Sequence, residues 1–139
     1  MRTLNRPSPR RNRKSVQFNI RLPGDLAEEI RDSAQRHRTT ATSVAARLIE
    51  EGIRGERFPG IDFRWAPTGR QPYLTGTGLT VWEAEMIWRH HDRDIARILK
   101  NYPHLRPEQI QAAAAYARRY AGEKPIPLPL PPSFQTVTV

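Results

Sequence analysis

Gln17, Asn19 and Arg21 stand every second residue in the stretch VQFNIRL, with Val16, Phe18, Ile20 and Leu22 between and around them. An Asn or Gln amide pairs twice with the edge of adenine, and an arginine fork donates twice to guanine, so these three residue types in a row suit base reading in a major groove. The plainer account is the wet face of a half-buried strand. Thr40, Thr42 and Ser43 put three hydroxyls at the start of a helical pattern, where free amides and the helix dipole attract a phosphate. Arg10, Arg11, Arg13 and Lys14 are the near end of an arm that also holds Arg2 and Arg6. Such a run adds salt-sensitive affinity for any polyanion, although a solubilising tail or a membrane-surface patch has the same composition.

Catalytic chemistry finds less support. His90, His91, Asp92 and Asp94 form a dense titratable cluster. Neighbouring residues on a helix point about 100° apart, so the two histidines do not meet one ion, and Asp94 is placed to cap the next helix. They read as polar residues of a helix end. His37 and His104 fall by turns, and no nucleophile, base and orienting group can be assembled. The expectation is no catalysis, no metal and no cofactor. Gly76-Thr77-Gly78 lacks the Lys-Thr or Lys-Ser of a phosphate loop. Trp65, Trp82 and Trp88 stand beside apolar residues, which favours core packing over base stacking.

Several elements must position the polar groups of residues 16–22. Their alternation specifies a strand, but no second alternating run follows for about forty residues, and a lone strand is not stable. A copy of itself in a homodimer supplies the partner, giving a two-stranded ribbon of a size that enters the major groove. Asp25 and Glu28 have capping-box spacing and lead a helix to about His37, with Leu26, Ile30 and Ala34 on one face. After Arg38-Thr39-Thr40, a second helix runs to about Ile53. It buries Val44, Ala45, Leu48, Ile49 and Ile53, and Gly52 and Gly55 bracket its end.

The segments VQFNIRLPGDLAEEI and TTATSVAARLIEEGI resemble the ribbon-helix-helix domain of dimeric repressors. The resemblance implies that Gln17, Asn19 and Arg21 read bases of double-stranded operator DNA and that Thr40, Thr42 and Ser43 clamp a phosphate. It also implies a homodimer formed through the N-terminal strand, with further association on DNA left open.

Beyond residue 56 the character changes. Phe58, Ile61, Phe63 and Trp65, the turn Ala66-Pro67-Thr68-Gly69, and Tyr73-Leu74 predict short strands or a hairpin. Val81, Trp82, Met86 and Ile87 then mark a helix to about His90, Asp94 caps Ile95 to Lys100, and Pro107 opens a helix to about Ala121 with Ile110, Ala113, Ala114, Ala117 and Tyr120 on its packing face. GTGLTVWEAEMI, ILKNYPHL and PEQIQAAAAYARRY resemble a small trihelical domain of unknown function found in VapB-like antitoxins. That resemblance spans about residues 57–121 and implies a winged-helix-like bundle and a PIN-like ribonuclease toxin as partner. Gly78 and Arg106 depart from it, standing where Arg and a Thr or Ser cap are usual.

The reading is therefore of a mainly α protein. A disordered basic arm (1–14) precedes a ribbon-helix-helix domain (15–56), short strands with a trihelical domain (57–124) and an extended Pro-rich tail (125–139). The +9 net charge is concentrated at the front, because residues 1–22 hold seven basic side chains and no acidic one. Two halves of this size are marginal alone, so dimerisation supplies missing core. Without cysteine there are no disulfides or thiolate metal sites, and no apolar run suits a membrane span or signal peptide. The chain is placed in the cytoplasm with no membrane partner. The expected function is that of an antitoxin that represses its own operon. Arg118, Arg119, Lys124, Ile126, Leu128, Leu130 and Phe134 are the candidates for covering the acidic toxin cleft. The alternative is a stand-alone repressor whose Gln109, Gln111, Arg118 and Arg119 face a second groove of DNA.

Overall fold

The computed structural model describes residues 14–125, so the basic residues 1–13 and the tail from Ile126 lie outside the described residues. Within it the chain is mainly helical. It consists of α1 (Gly24–Arg36), α2 (Ala41–Arg57), β1 (Ile61–Ala66), β2 (Gly69–Leu74), α3 (Val81–His90), α4 (Ile95–Asn101), α5 (Pro107–Arg119) and a closing 3-10 turn (Ala121–Glu123). Among the described residues no helix is long and apolar enough to cross a membrane. The contacts divide them into two compact units, one ending at Arg57 and the other starting at Phe58.

In the first unit, residues 14–23 precede α1 without a strand assignment, since no described segment pairs with them. Pro23, with φ fixed at −57°, is the residue before α1. The expected capping box of Asp25 and Glu28 does not form. Asp25 sits inside the first turn, where its Oδ1 accepts from the amide of Leu26 at 2.9 Å. Its negative charge there is favoured by the helix dipole. α1 ends in a Schellman motif: the amides of Arg38 and Thr39 donate to the carbonyls of Gln35 (3.3 Å) and Ala34 (2.9 Å). Arg38 takes φ 55° there, a conformation glycine adopts more cheaply.

Thr40 opens α2 by accepting from the amide of Ser43 on Oγ1 at 3.0 Å. The helix does not stop near Ile53. It passes through Gly52 and Gly55, neither of which has positive φ, and ends ahead of Pro59-Gly60, with Gly60 at φ 93°. Two glycines cost the helix about 1 kcal/mol each. The i,i+4 pairs Arg47–Glu51 and Arg54–Glu50, at 3.4 and 2.7 Å, bridge the same turns.

The second unit starts with an antiparallel hairpin in register Ile61↔Leu74 to Ala66↔Gly69. Pro67 presets the turn and Gly69 supplies φ 107°. Thr80 caps α3 with a complete capping box: its Oγ1 accepts from the Glu83 amide at 3.1 Å, and Glu83 Oε1 accepts from the Thr80 amide at 2.9 Å. α3 ends as α1 does, with Asp92 and Arg93 at φ 56° and 59° and their amides on Arg89 and Trp88 carbonyls. Asp94 caps α4 by accepting from the Arg97 amide. Arg106 precedes α5, and having no acceptor it cannot cap with its side chain; Gln109 Oε1 accepts its amide at 2.8 Å instead.

The core of this unit collects Ile61 and Leu74 from the hairpin, Val81, Trp82 and Ile87 from α3, Ile98 from α4, and Ile110, Ala113 and Tyr116 from α5. Tyr116 is its hub, with ring centroids 5.2 Å from Phe58, 5.9 Å from Trp82 and 4.7 Å from Tyr120. Edge-on and tilted pairs of this kind add stability beyond area burial.

Candidate nucleic-acid interface

Gln17, Asn19 and Arg21 are all exposed, as are the apolar residues between them. Val16 is 84% and Phe18 81% exposed, with Ile20, Leu22, Leu26, Leu48, Ile49 and Ile53 also open. Only Ala34 and Val44 are buried in α1 and α2. A segment that alternates polar and apolar and exposes both sets has no face turned to a core. Of the stripe expected to be buried in α2, Val44 alone is fully covered.

The second candidate group lies at the start of α2. Thr40 Oγ1 is spent on the Ser43 amide and donates to Ser43 Oγ at 2.9 Å, while the Val44 amide donates to the Thr40 carbonyl at 3.1 Å. Thr42 and Ser43 are exposed at the start of this 17-residue helix, whose Ser43 and Val44 amides are already taken by Thr40. The helix dipole still favours an anion at this end. Leu22, Ala41 and Thr42 line one cavity of about 210 Å³, so the end of residues 16–22 and the start of α2 come together. Arg21 is not among the residues that line it, and Lys14 is exposed at the start of the described residues. Arg10, Arg11 and Arg13 lie outside them.

In the second unit, Arg118 and Lys124 line a groove of about 360 Å³ between α3 and α5. Arg119 is not among its lining residues and instead lies 5.2 Å over the ring of Tyr120. Ile126, Leu128, Leu130 and Phe134 lie outside the described residues. Gln109 is buried and occupied by the Arg106 amide and, at 3.4 Å, the Thr75 carbonyl, so it is not available to a DNA groove.

Residues 68–117 match the family described as a protein of unknown function (DUF433). The matched span runs from the hairpin turn into α5 and leaves the whole first unit outside it. No curated protein and no solved structure matches the chain.

Within the matched span, His91 is the polar residue that ends α3, as its place in the sequence led one to expect, but it is buried: it is 9% exposed, with Nδ1 2.8 Å from the Ile87 carbonyl and Nε2 2.9 Å from the Asn101 amide nitrogen. A carbonyl on one side and an amide donor on the other place the hydrogen on Nδ1 and leave Nε2 as acceptor. His91 thus ties the end of α3 to the end of α4, a long-range role that no local pattern announces. Among the described residues no group of three or more His, Asp or Glu is placed to hold a metal ion.

The tryptophans also differ from one another. Trp82 is in the core with Nε1 donating to Gln71 Oε1 at 2.9 Å, Trp88 is half-buried, and Trp65 is 47% exposed with Arg70 over its ring. Gly76-Thr77-Gly78 forms an internally satisfied turn, the Thr77 hydroxyl donating to the Leu74 carbonyl and accepting from the Leu79 amide. Arg64 holds that turn to the hairpin through the Thr77 carbonyl at 2.8 Å and reaches Asp62 at 2.8 Å. The hydrogen bond from Arg64 keeps the Asp62 carboxyl below its usual range against partial burial, and Asp62 raises Arg64 in return.

Proposed function

We propose that the chain is the antitoxin of a toxin-antitoxin pair: a dimeric repressor through its first unit and the holder of a PIN-like ribonuclease through its second. The observation that carries the DNA half is the open apolar set of residues 16–22, α1 and α2 beside an outward row of Gln17, Asn19 and Arg21. Pairing residues 16–22 with the same stretch of a second chain satisfies their backbone, covers Val16, Phe18 and Ile20, and doubles the row of base readers. Paired in this way, residues 16–22, α1 and α2 make a ribbon-helix-helix domain with the start of α2 on a phosphate. The partner half draws on the resemblance of residues 57–121 and on the basic groove between α3 and α5, and the hairpin ahead of the helices suits a winged-helix-like reading. The stand-alone repressor is weakened by the burial of Gln109.

The test is selection of duplexes by the whole chain from a random-sequence pool, followed by binding of Arg21→Ala. Recovery of paired half-sites, and a loss of about 1–3 kcal/mol at one base position, are expected if Arg21 reads a guanine. A selected pool without any shared sequence sinks the repressor reading.

A further inference from the structure

The groove between α3 and α5 holds more positive than negative charge. Arg93, Arg118 and Lys124 stand on its lining and have no carboxylate partner among the described residues. The one carboxylate in the lining, Glu85, is buried and bound by Arg89 at 2.5 Å. Its charge is matched within α3, so the surplus is positive.

Between the cations the lining includes Trp82, Trp88, Ala114, Ala117 and Ala121. Ala114 and Ala117 lie about one turn apart on α5, opposite Trp88, and small side chains let another backbone approach closely. The turn after α3 aims one cation inward: Asp92 and Arg93 both hold positive φ, a conformation that costs a non-glycine residue about 1 kcal/mol or more. The Arg93 guanidinium thereby lies 5.4 Å over the Trp88 ring. That placement occupies one face of the indole. A cleft of about 360 Å³ admits a few side chains and not a duplex.

We propose that this groove docks an acidic amphipathic segment of a partner protein. Its apolar side chains rest on Ala114, Ala117 and Trp88, and its carboxylates meet Arg93, Arg118 and Lys124. The inference rests on the reading of the second unit as the partner-holding half, and it keeps Arg118 and Lys124, adds Arg93 and does without Arg119 and the terminal tail.

The probe is a fluorescein-labelled peptide with leucines on one face and glutamates on the other, compared with its lysine counterpart and with labelled oligodeoxythymidine. Anisotropy with the full chain is expected to show saturable binding of the glutamate peptide alone. Arg118→Glu and Lys124→Glu, both at the rim, should each weaken it roughly tenfold, with circular dichroism unchanged. Absence of peptide binding, indifference to both reversals, or tighter binding of the oligonucleotide overturns the proposal. Co-expression with a PIN-like ribonuclease separates the two levels. Retention of the nuclease by wild type and equally by both variants removes the groove and keeps the antitoxin reading. Peptide binding that both reversals weaken, together with failure of wild type to retain the nuclease, keeps the groove as an acidic-segment site and removes that reading.

Discussion

The two units solve the same problem in different ways. Residues 58–125 enclose Trp82, Tyr116, Ile87, Ile98 and Ile110 within one chain, whereas residues 14–57 bury only Ala34 and Val44 and leave eight large apolar side chains open. Each contains one long helix with a side-chain N-cap, Thr40 on α2 and Thr80 on α3, and one without, α1 and α5. Local helix chemistry is therefore not what separates them. The hairpin closes the second unit over α3 and α5, and the first has no comparable cover of its own.

The largest expected effect breaks this comparison at its weaker side. Phe18→Asp replaces the most exposed aromatic side chain of the first unit with a charge. If that face is a dimer interface, two phenylalanines lose their burial, at about 2–3 kcal/mol each, and two carboxylates face an apolar seam. The dimer constant measured by sedimentation equilibrium should rise by roughly ten-thousandfold. Melting of the first unit should become independent of protein concentration. A chain that is monomeric before the change removes the ribbon pairing.

Next in size is a change in the complete core. Trp82→Ala removes a side chain that is almost fully buried and packs edge-on to Tyr116. The second unit should lose about 3–5 kcal/mol in urea unfolding, while the proposed dimerisation and DNA selection stay as in wild type. A loss of dimer together with the core would mean that the units are not energetically separate.

Much of the fold was legible because its signals are local. The alternation of residues 61–74 around Pro67 and Gly69, the Asp94 cap and Pro107 at the start of α5 all lie within a few residues of what they control. Thr80 and Glu83 have capping-box spacing that was available in the sequence, and Asp25 with Glu28 has the same spacing without forming one. The difference is position: Thr80 precedes α3, whereas Pro23 precedes α1 and draws Asp25 inside the helix. The glycines of α2 misled for a similar reason, since a glycine ends a helix when it takes positive φ, and Gly52 and Gly55 do not. His91 and Tyr116 were hidden because their roles join separate elements, whereas Gln109 accepts from the Arg106 amide three residues away and only its longer bond, to the Thr75 carbonyl, reaches a distant segment. For the candidate site, the polar row of residues 16–22 and the Thr40 cap were readable. The groove was not, because its cations come from α3, α5 and the two turns that follow them.

The smallest effect sharpens the comparison on the side of the self-contained unit. Asp62 is bonded by Arg64, which also holds the Thr77 carbonyl, so its ionisation is linked to the closure of the hairpin. Its folded pKa lies below the unfolded value. The stability it contributes is thus fully present above the unfolded pKa, about 3.9, and is lost as pH falls through the lower folded pKa. Solvent screens the pair, whose side chains are 38% and 41% exposed, so the contribution is small, about a few tenths of a kcal/mol. Asp62→Asn should lower the urea midpoint of the second unit slightly near neutral pH, with the gap to wild type closing in acid below the folded pKa. A gap that persists unchanged there would assign the loss to hydrogen-bond geometry and not to charge. The first unit, lacking this pair, should show the same acid response in both proteins.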